Sequence, residues 1–106
     1  MSCPFIDGAS NKTLGRLLHC HELMRAYGIE MSAQIVSIFL YIAANNGCYK
    51  REMEIDLDLR SSTSTQNINR LVTRNVVRKD YFGNLMCLEL TDNGEKLVNR
   101  LEMIIR

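Results

Sequence analysis

The run Arg60-Ser61-Ser62-Thr63-Ser64-Thr65, with the residues that follow it, carries the side chains best suited to chemistry in this chain. Hydroxyls of this kind bond the free amides at a helix start, so Ser61 or Ser62 is expected to cap a helix running to about Arg74. At about 100° per residue, Ser64, Ile68, Leu71, Val72 and Asn75 gather on one inward arc. The opposite arc holds Ser62, Thr63, Gln66, Asn69, Arg70 and Thr73, with Arg74 at its margin, and no acidic residue interrupts it. Donors, acceptors and cations on one helix face suit base edges and phosphates. Arg70 matches guanine O6 and N7, Gln66 matches an adenine edge, and the hydroxyls and amides of Ser61 to Thr65 suit a phosphate at the helix start.

Charge points the same way. Thirteen Lys and Arg against twelve Asp and Glu leave the chain at +1, which makes no global case for a polyanionic partner. Between Arg60 and Asn84, however, five cations (Arg60, Arg70, Arg74, Arg78, Lys79) face one acid, Asp80, a local balance of +4. The rest of the chain is therefore net acidic.

Other groupings are weaker. His19-Cys20-His21 has metal-ligand types, but neighbouring side chains on a helix point about 100° apart and cannot all reach one ion, so no metal is expected. Cys3, Cys20, Cys48 and Cys87 are irregularly spaced with no C-x-x-C, and free buried thiols are the plain expectation. A thiol sensor on Cys20, Cys48 or Cys87 is the competing one, since nearby cations stabilise thiolate. Glu52, Glu54, Asp56 and Asp58 have no His or Ser nucleophile pattern beside them and read as a solvated acidic face. Without G-x-S-x-G, a Walker loop or H-E-x-x-H, neither an enzyme nor a cofactor is indicated.

The elements that must position these residues follow from periodicity. Leu14, Leu17, Leu18, Met24 and Tyr27 make a helical stripe from about Asn11 to Tyr27, behind Ser10 and closed by Gly28. Ser32 caps a second helix to about Asn45, apolar on two sides: Ile35, Ile38, Phe39 and Ile42 on one, Val36, Leu40 and Ala43 on the other. After the Asn45-Asn46-Gly47 stop comes a short extended piece at Cys48 and Tyr49. Glu52 to Leu59 alternates as a strand would, although Met53 and Leu57 also share one helical turn. Beyond the Ser61 helix, Val76 to Tyr81 and Leu85 to Leu90 form a hairpin around Phe82-Gly83-Asn84. Thr91 caps a last helix with Asp92 in its first turn, striped by Leu97, Val98, Leu101, Ile104 and Ile105.

Helix, helix, short strand, helix, helix, hairpin, helix is the order of a winged helix-turn-helix. From Met31 to Leu101 the sequence resembles the MarR type of bacterial and archaeal transcription regulators. The family pattern "SELxxxLxLSxST" has its counterpart in Arg51-Glu52-Met53 through Leu57-Asp58-Leu59 and Ser62-Thr63. "VxxL" corresponds to Ile68-Asn69-Arg70-Leu71, "GLV" to Asn75-Val76-Val77, and "LTxxGxxL" to Leu90-Thr91-Asp92-Asn93-Gly94-Glu95-Lys96-Leu97, the most specific of these. This register places Arg51 to Leu57 in a helix. The family's "DxR" wing has only Asp80-Tyr81-Phe82-Gly83-Asn84 opposite it, with no arginine at the tip.

The resemblance implies a dimer with the Ser62 to Arg74 helix in the major groove, the hairpin near the minor groove, and terminal helices at the dimer interface. The expectation is therefore one α+β, mainly α domain over residues 1–106: an amino-terminal helix at 11–30, a winged-helix core at 31–91 and a carboxy-terminal helix at 92–106. The expected partner is double-stranded DNA, bound by a homodimeric regulator at a pseudo-palindromic operator. Ser61, Ser62, Thr63, Thr65, Gln66, Asn69, Arg70, Arg74, Arg78, Lys79 and Asn84 would contact it, and Leu14, Leu17, Leu18, Leu97, Leu101, Ile104 and Ile105 would form the dimer interface. The main apolar run, Ala33 to Ala44, is too short to span a bilayer. Met1 to Ser10 lacks the pattern of a secretory signal, so the cytoplasm is the expected compartment. The rival class is a winged helix used as a protein-interaction module without DNA binding, and a third is a regulator gated by redox or by a small effector of unknown identity.

Overall fold

The computed structural model describes residues 8–30 and 32–106. Cys3 and the first seven residues, read above for a secretion signal, lie outside the described residues, as does Met31. Five helices and a small sheet follow one another as α1 (Gly8–Ala26), α2 (Ala33–Ala44), β1 (Cys48–Tyr49), α3 (Lys50–Leu57), α4 (Ser61–Thr73), β2 (Val77–Phe82), β3 (Leu85–Leu90) and α5 (Asp92–Ile105). This is the expected mainly helical α+β order. Among the described residues, no helix is long and apolar enough to cross a membrane.

Local signals set most of the ends. Ser32 accepts a hydrogen bond from the Ile35 amide at 3.2 Å and Thr91 from the Gly94 amide at 3.0 Å, so both serve as the expected N-caps. After α1 the chain closes through Gly28 at φ +86°, where the Gly28 and Ile29 amides donate to the carbonyls of Arg25 and Met24. That pairing takes up the orphan carbonyls of the last turn and needs a residue at ease in the left-handed region. Two boundaries differ from expectation. Helix α1 begins at Gly8, which puts Ser10 inside it rather than before it. The N-cap of α4 is Arg60, with Ser61 as the first helical residue.

The core is built around α2, whose Ile35, Ile38, Phe39 and Ile42 are fully buried. Its second apolar side is only partly covered: Val36 and Ala43 are half-buried and Leu40 is exposed. From α1 the core takes Cys20, Leu23 and Met24, while Leu14, Leu17 and Leu18 face solvent. The alternating segment resolves as helix α3 because Met53 and Leu57 turn inward, one helical turn apart, while Ile55 points out, and Leu59 packs on the core from beyond the helix end. A strand would have buried all of its alternate apolar residues on one side.

The three strands form an antiparallel sheet in the order β1-β3-β2. Across β2 and β3, Val77 pairs with Leu90, Lys79 with Leu88 and Tyr81 with Met86, and the intervening rungs are Arg78 with Glu89, Asp80 with Cys87 and Phe82 with Leu85. Helix α5 then docks its amino-terminal turn on the end of β2. The Thr91 amide and hydroxyl donate to the carbonyls of Val76 and Asn75 at 3.2 and 2.6 Å, and a Cβ added at Gly94 would lie 2.0 Å from the Val76 carbonyl oxygen. Asn75, expected on the inward arc of α4, instead lies exposed beyond the helix at φ +59° and ends it.

One expectation about α5 changes with its packing. Leu97 and Leu101 are buried inside the chain's own core, so they are not available to a partner's surface. The apolar side chains that the terminal helices leave exposed are Leu14, Leu17 and Leu18 of α1 with Met103 and Ile105 of α5. Ile104 is half-buried.

Candidate nucleic-acid interface

The site is built on α4, which is held from below by Ile68 and Leu71 in the apolar core and by two buried polar residues, Ser64 and Asn67. Asn67 donates to the Gln34 side chain of α2, and Ser64 donates its hydroxyl proton to the Glu54 carboxylate of α3, with the Ser61 carbonyl 3.1 Å from the same oxygen. A buried polar group without a partner is costly, so these bonds specify one seating of α4 against α2 and α3. Lys50 completes the junction with its Nζ, which donates to Glu54 Oε2 at 2.6 Å and to Ser61 Oγ at 2.9 Å. Partial burial opposes ionisation of Glu54, but the hydrogen bonds from Lys50 and Ser64 outweigh it and hold the carboxyl below its usual range. The Ser61 hydroxyl therefore accepts from Lys50, leaving its own proton for an acceptor outside.

On the outward side the expected arc is present. Ser62, Thr63, Gln66, Asn69, Arg70, Thr73 and Arg74 are all exposed. The Thr65 and Thr73 hydroxyls bond back to the carbonyls of Ser61 and Asn69, as hydroxyls on a helix commonly do. Thr65 is half-buried. Arg74 lies along Gly28, where an added Cβ would come within 3.0 Å of Arg74 Cδ, so the glycine that closes α1 also makes room for this side chain.

Tertiary contacts add partners that spacing did not reveal. Arg70 Nη1 lies 3.2 Å from Glu30 Oε2, with the two side chains 55% and 51% exposed. Glu30, Asn69, Arg70, Thr73 and Arg74 line one shallow cleft of about 300 Å³. Lys79 reaches across from β2 to Asn69 Oδ1 at 2.8 Å and so ties the hairpin to the outward face of α4. Its neighbour Arg78 occupies the opposite face of the strand, paired with Glu89 at 3.0 Å. Arg78 and Lys79 therefore do not form one cationic patch. Asn84 sits at the hairpin tip, where it and Thr65 line a second cleft of about 310 Å³ with Tyr49, Lys50 and Arg51.

The three described cysteines are free thiols, and all are buried. Burial raises the pKa values of Cys20, Cys87 and Cys48, the last to about 11, and Cys87 donates weakly to the Gly47 carbonyl. The thiol-sensor reading on these three residues expected cations beside them. Arg78 does act on Cys87 and lowers its pKa, but burial, Glu89 and Asp80, its partner across the strands, each raise it more, so the net shift is upward. Among the described residues no group of His, Cys, Asp or Glu is arranged to hold a metal ion.

No protein-family model and no curated relative matches the chain. Solved structures do. A MarR transcriptional regulator from Methanosarcina mazei Go1 superposes with a TM-score of 0.68 at 18% identity, over 90% of this chain and 64% of its own. Reduced AbfR bound to DNA, a protein of Staphylococcus epidermidis, gives 0.67 at 21% identity over 91% of this chain and 69% of its own. The PcaV transcriptional regulator of Streptomyces coelicolor, with its natural ligand, gives 0.61 at 22% identity over 99% of this chain and 78% of its own. At these identities the likeness is one of fold, and the chain spans 64% of the length of the Methanosarcina protein.

Proposed function

From the MarR-type winged-helix fold that this chain has, we propose that it is a transcriptional regulator that binds double-stranded DNA as a homodimer at a pseudo-palindromic operator. The observation that carries the reading is the outward face of α4: exposed hydrogen-bonding side chains with Arg70 and Arg74 among them, tied through Asn69 to Lys79 of the adjoining hairpin. A major groove admits one such helix, and two helices about 34 Å apart on a symmetric dimer meet successive grooves. The solved DNA complex of a protein with the same fold supports this reading.

Within it, Ser61, Ser62, Thr63 and Thr65 position the helix on phosphate, Gln66, Asn69 and Arg70 read bases, and Arg74 and Lys79 add phosphate affinity. Asn84 and Arg78 belong to the wing side. Arg70 leaves Glu30 at little cost, because an ion pair exposed on both sides is worth only about 0–1 kcal/mol and a bidentate guanine contact about 1–3 kcal/mol. For the dimer, exposed Leu14, Leu17, Leu18 and Ile105 remain the contact candidates, with Met103 beside them.

A binding series against random and selected duplexes at several salt concentrations tests the proposal. Affinity is expected to fall steeply with salt. Arg70→Ala should cost roughly 1–3 kcal/mol on the selected site only, whereas Lys79→Ala should lower the salt slope by about one. Equal losses for Arg70→Ala on every sequence contradict base reading. The internal pairing of Arg70 with Glu30, Arg78 with Glu89 and Lys50 with Glu54 favours the second reading, a protein-interaction module. Absence of any duplex binding at low salt selects that second reading.

A further inference from the structure

Along α4 itself no acid interrupts the outward face, but folding places one there. Glu30, from the connection between α1 and α2, brings Oε2 to 3.2 Å from Arg70 Nη1 and lines one cleft with Asn69, Arg70, Thr73 and Arg74. Its backbone is held on both sides. Ile29 is buried and its amide donates to the Met24 carbonyl at 3.1 Å, while Ser32 caps α2 two residues further on. Both arginines of the outward face meet this connection, Arg74 along Gly28 and Arg70 at Glu30. A carboxylate held among groups suited to phosphate repels the backbone that they attract. Its charge is favourable only opposite a donor, and the donors that the major groove offers are the amino groups of cytosine and adenine.

We propose that Glu30 reads cytosine: as Arg70 exchanges Glu30 for guanine O6 and N7, the carboxylate accepts from the N4 amino group of the cytosine paired with that guanine. The inference rests on the DNA-binding reading above and adds a base-reading residue from outside α4. Spacing supports it. Guanine O6 and cytosine N4 are hydrogen-bonded partners, about 2.9–3.0 Å apart, close to the 3.2 Å between Arg70 Nη1 and Glu30 Oε2. Across its groove edge a G·C pair shows acceptor, acceptor, donor, and an arginine beside a carboxylate shows donor, donor, acceptor in the same order. An A·T pair shows acceptor, donor, acceptor and does not match. Both side chains are about half exposed, and an exposed ion pair holds its partners weakly, so the exchange costs little.

The test uses the whole chain and a duplex selected from a random pool. The guanine read by Arg70 is the one whose replacement by 7-deazaguanine, which lacks the N7 acceptor, weakens binding of the native protein but not of Arg70→Ala. Its paired cytosine is then replaced by N4-methylcytosine, which keeps the base pair and both guanine acceptors but removes the amino hydrogen facing the groove. The native protein should bind the methylated duplex roughly tenfold to a hundredfold more weakly, the worth of one hydrogen bond to a charged group. Glu30→Ala should bind both duplexes alike, and Glu30→Gln, whose amide oxygen still accepts, should keep part of the difference. A native protein indifferent to the methyl group, or a penalty as large in Glu30→Ala as in the native protein, overturns the proposal and leaves the DNA reading intact. A selected site with no guanine that depends on Arg70 overturns it equally. Failure of the native protein to bind any duplex removes both readings together.

Discussion

Replacing Gly94 by Ala tests whether the seating of α5 on the sheet is as close as the structure describes. Helix propensity alone favours the change, because Ala exceeds Gly by about 0.8–1 kcal/mol inside a helix. Packing opposes it. The new Cβ would lie 2.0 Å from the Val76 carbonyl oxygen and 3.0 Å from the Val76 carbonyl carbon, all of it backbone that cannot swing aside. Restoring an ordinary contact requires α5 to retreat by about 1 Å or more, and overpacking of this kind costs typically about 1–3 kcal/mol. The same retreat stretches the bonds from the Thr91 backbone amide to the Val76 carbonyl, at 3.2 Å, and from the Thr91 hydroxyl and the Asn93 side-chain Nδ2 to the Asn75 carbonyl, at 2.6 and 3.2 Å. Each is worth about 0.5–1.5 kcal/mol net, so after the propensity gain a loss of about 2–4 kcal/mol is expected. For a chain of this size that lowers the thermal midpoint by roughly 10–25 °C. Urea unfolding followed by circular dichroism measures it. Gly15→Ala is the internal control: a Cβ there meets nothing within 4 Å, and the variant should gain most of the propensity difference. A Gly94→Ala protein as stable as the native one refutes the argument from close approach.

Three further outcomes follow from the side-chain environments. The hydrogen bond that Tyr41 donates to Asp56, at 2.5 Å, raises the tyrosine pKa to about 12, so its stabilising effect is complete below about pH 10 and disappears as pH rises through 12. Ultraviolet titration should show one tyrosine ionising late, and Asp56→Asn should bring it back among the others. Glu54 behaves in the opposite sense: its lowered pKa gives stability that is present above the ordinary carboxylate range and is lost in acid, and Glu54→Gln should flatten that part of the stability profile. In a Cys3→Ser background, Cys20, Cys48 and Cys87 should resist a thiol reagent at pH 8 until the chain unfolds, and rapid labelling of folded protein would contradict their burial.

Much of this molecule was legible locally. Ser32, Thr91 and Gly28 announce helix ends because capping involves residues within one turn of each other, and the Phe82-Gly83-Asn84 signal announces a hairpin for the same reason. The polar arc of α4 was equally readable, since a helix's faces are set by its own 100° step. Strand-like alternation in Glu52 to Leu59 misleads only if every apolar residue is assumed to be buried, and Ile55 is not.

What the sequence by itself determined, then, is the order of elements, the caps at Ser32 and Thr91, and which side chains of α4 face outward. Only the tertiary structure decided that Leu97 and Leu101 serve the chain's own core, that Arg70 meets Glu30 forty positions away, that Arg78 and Lys79 part to opposite faces of β2, and that Gly94 must have no side chain. The physical reason is common to all four. An apolar stripe looks the same whether it covers a core or awaits a second molecule, and a charge or a glycine has meaning only through the atom brought beside it, which depends on how distant segments pack against one another.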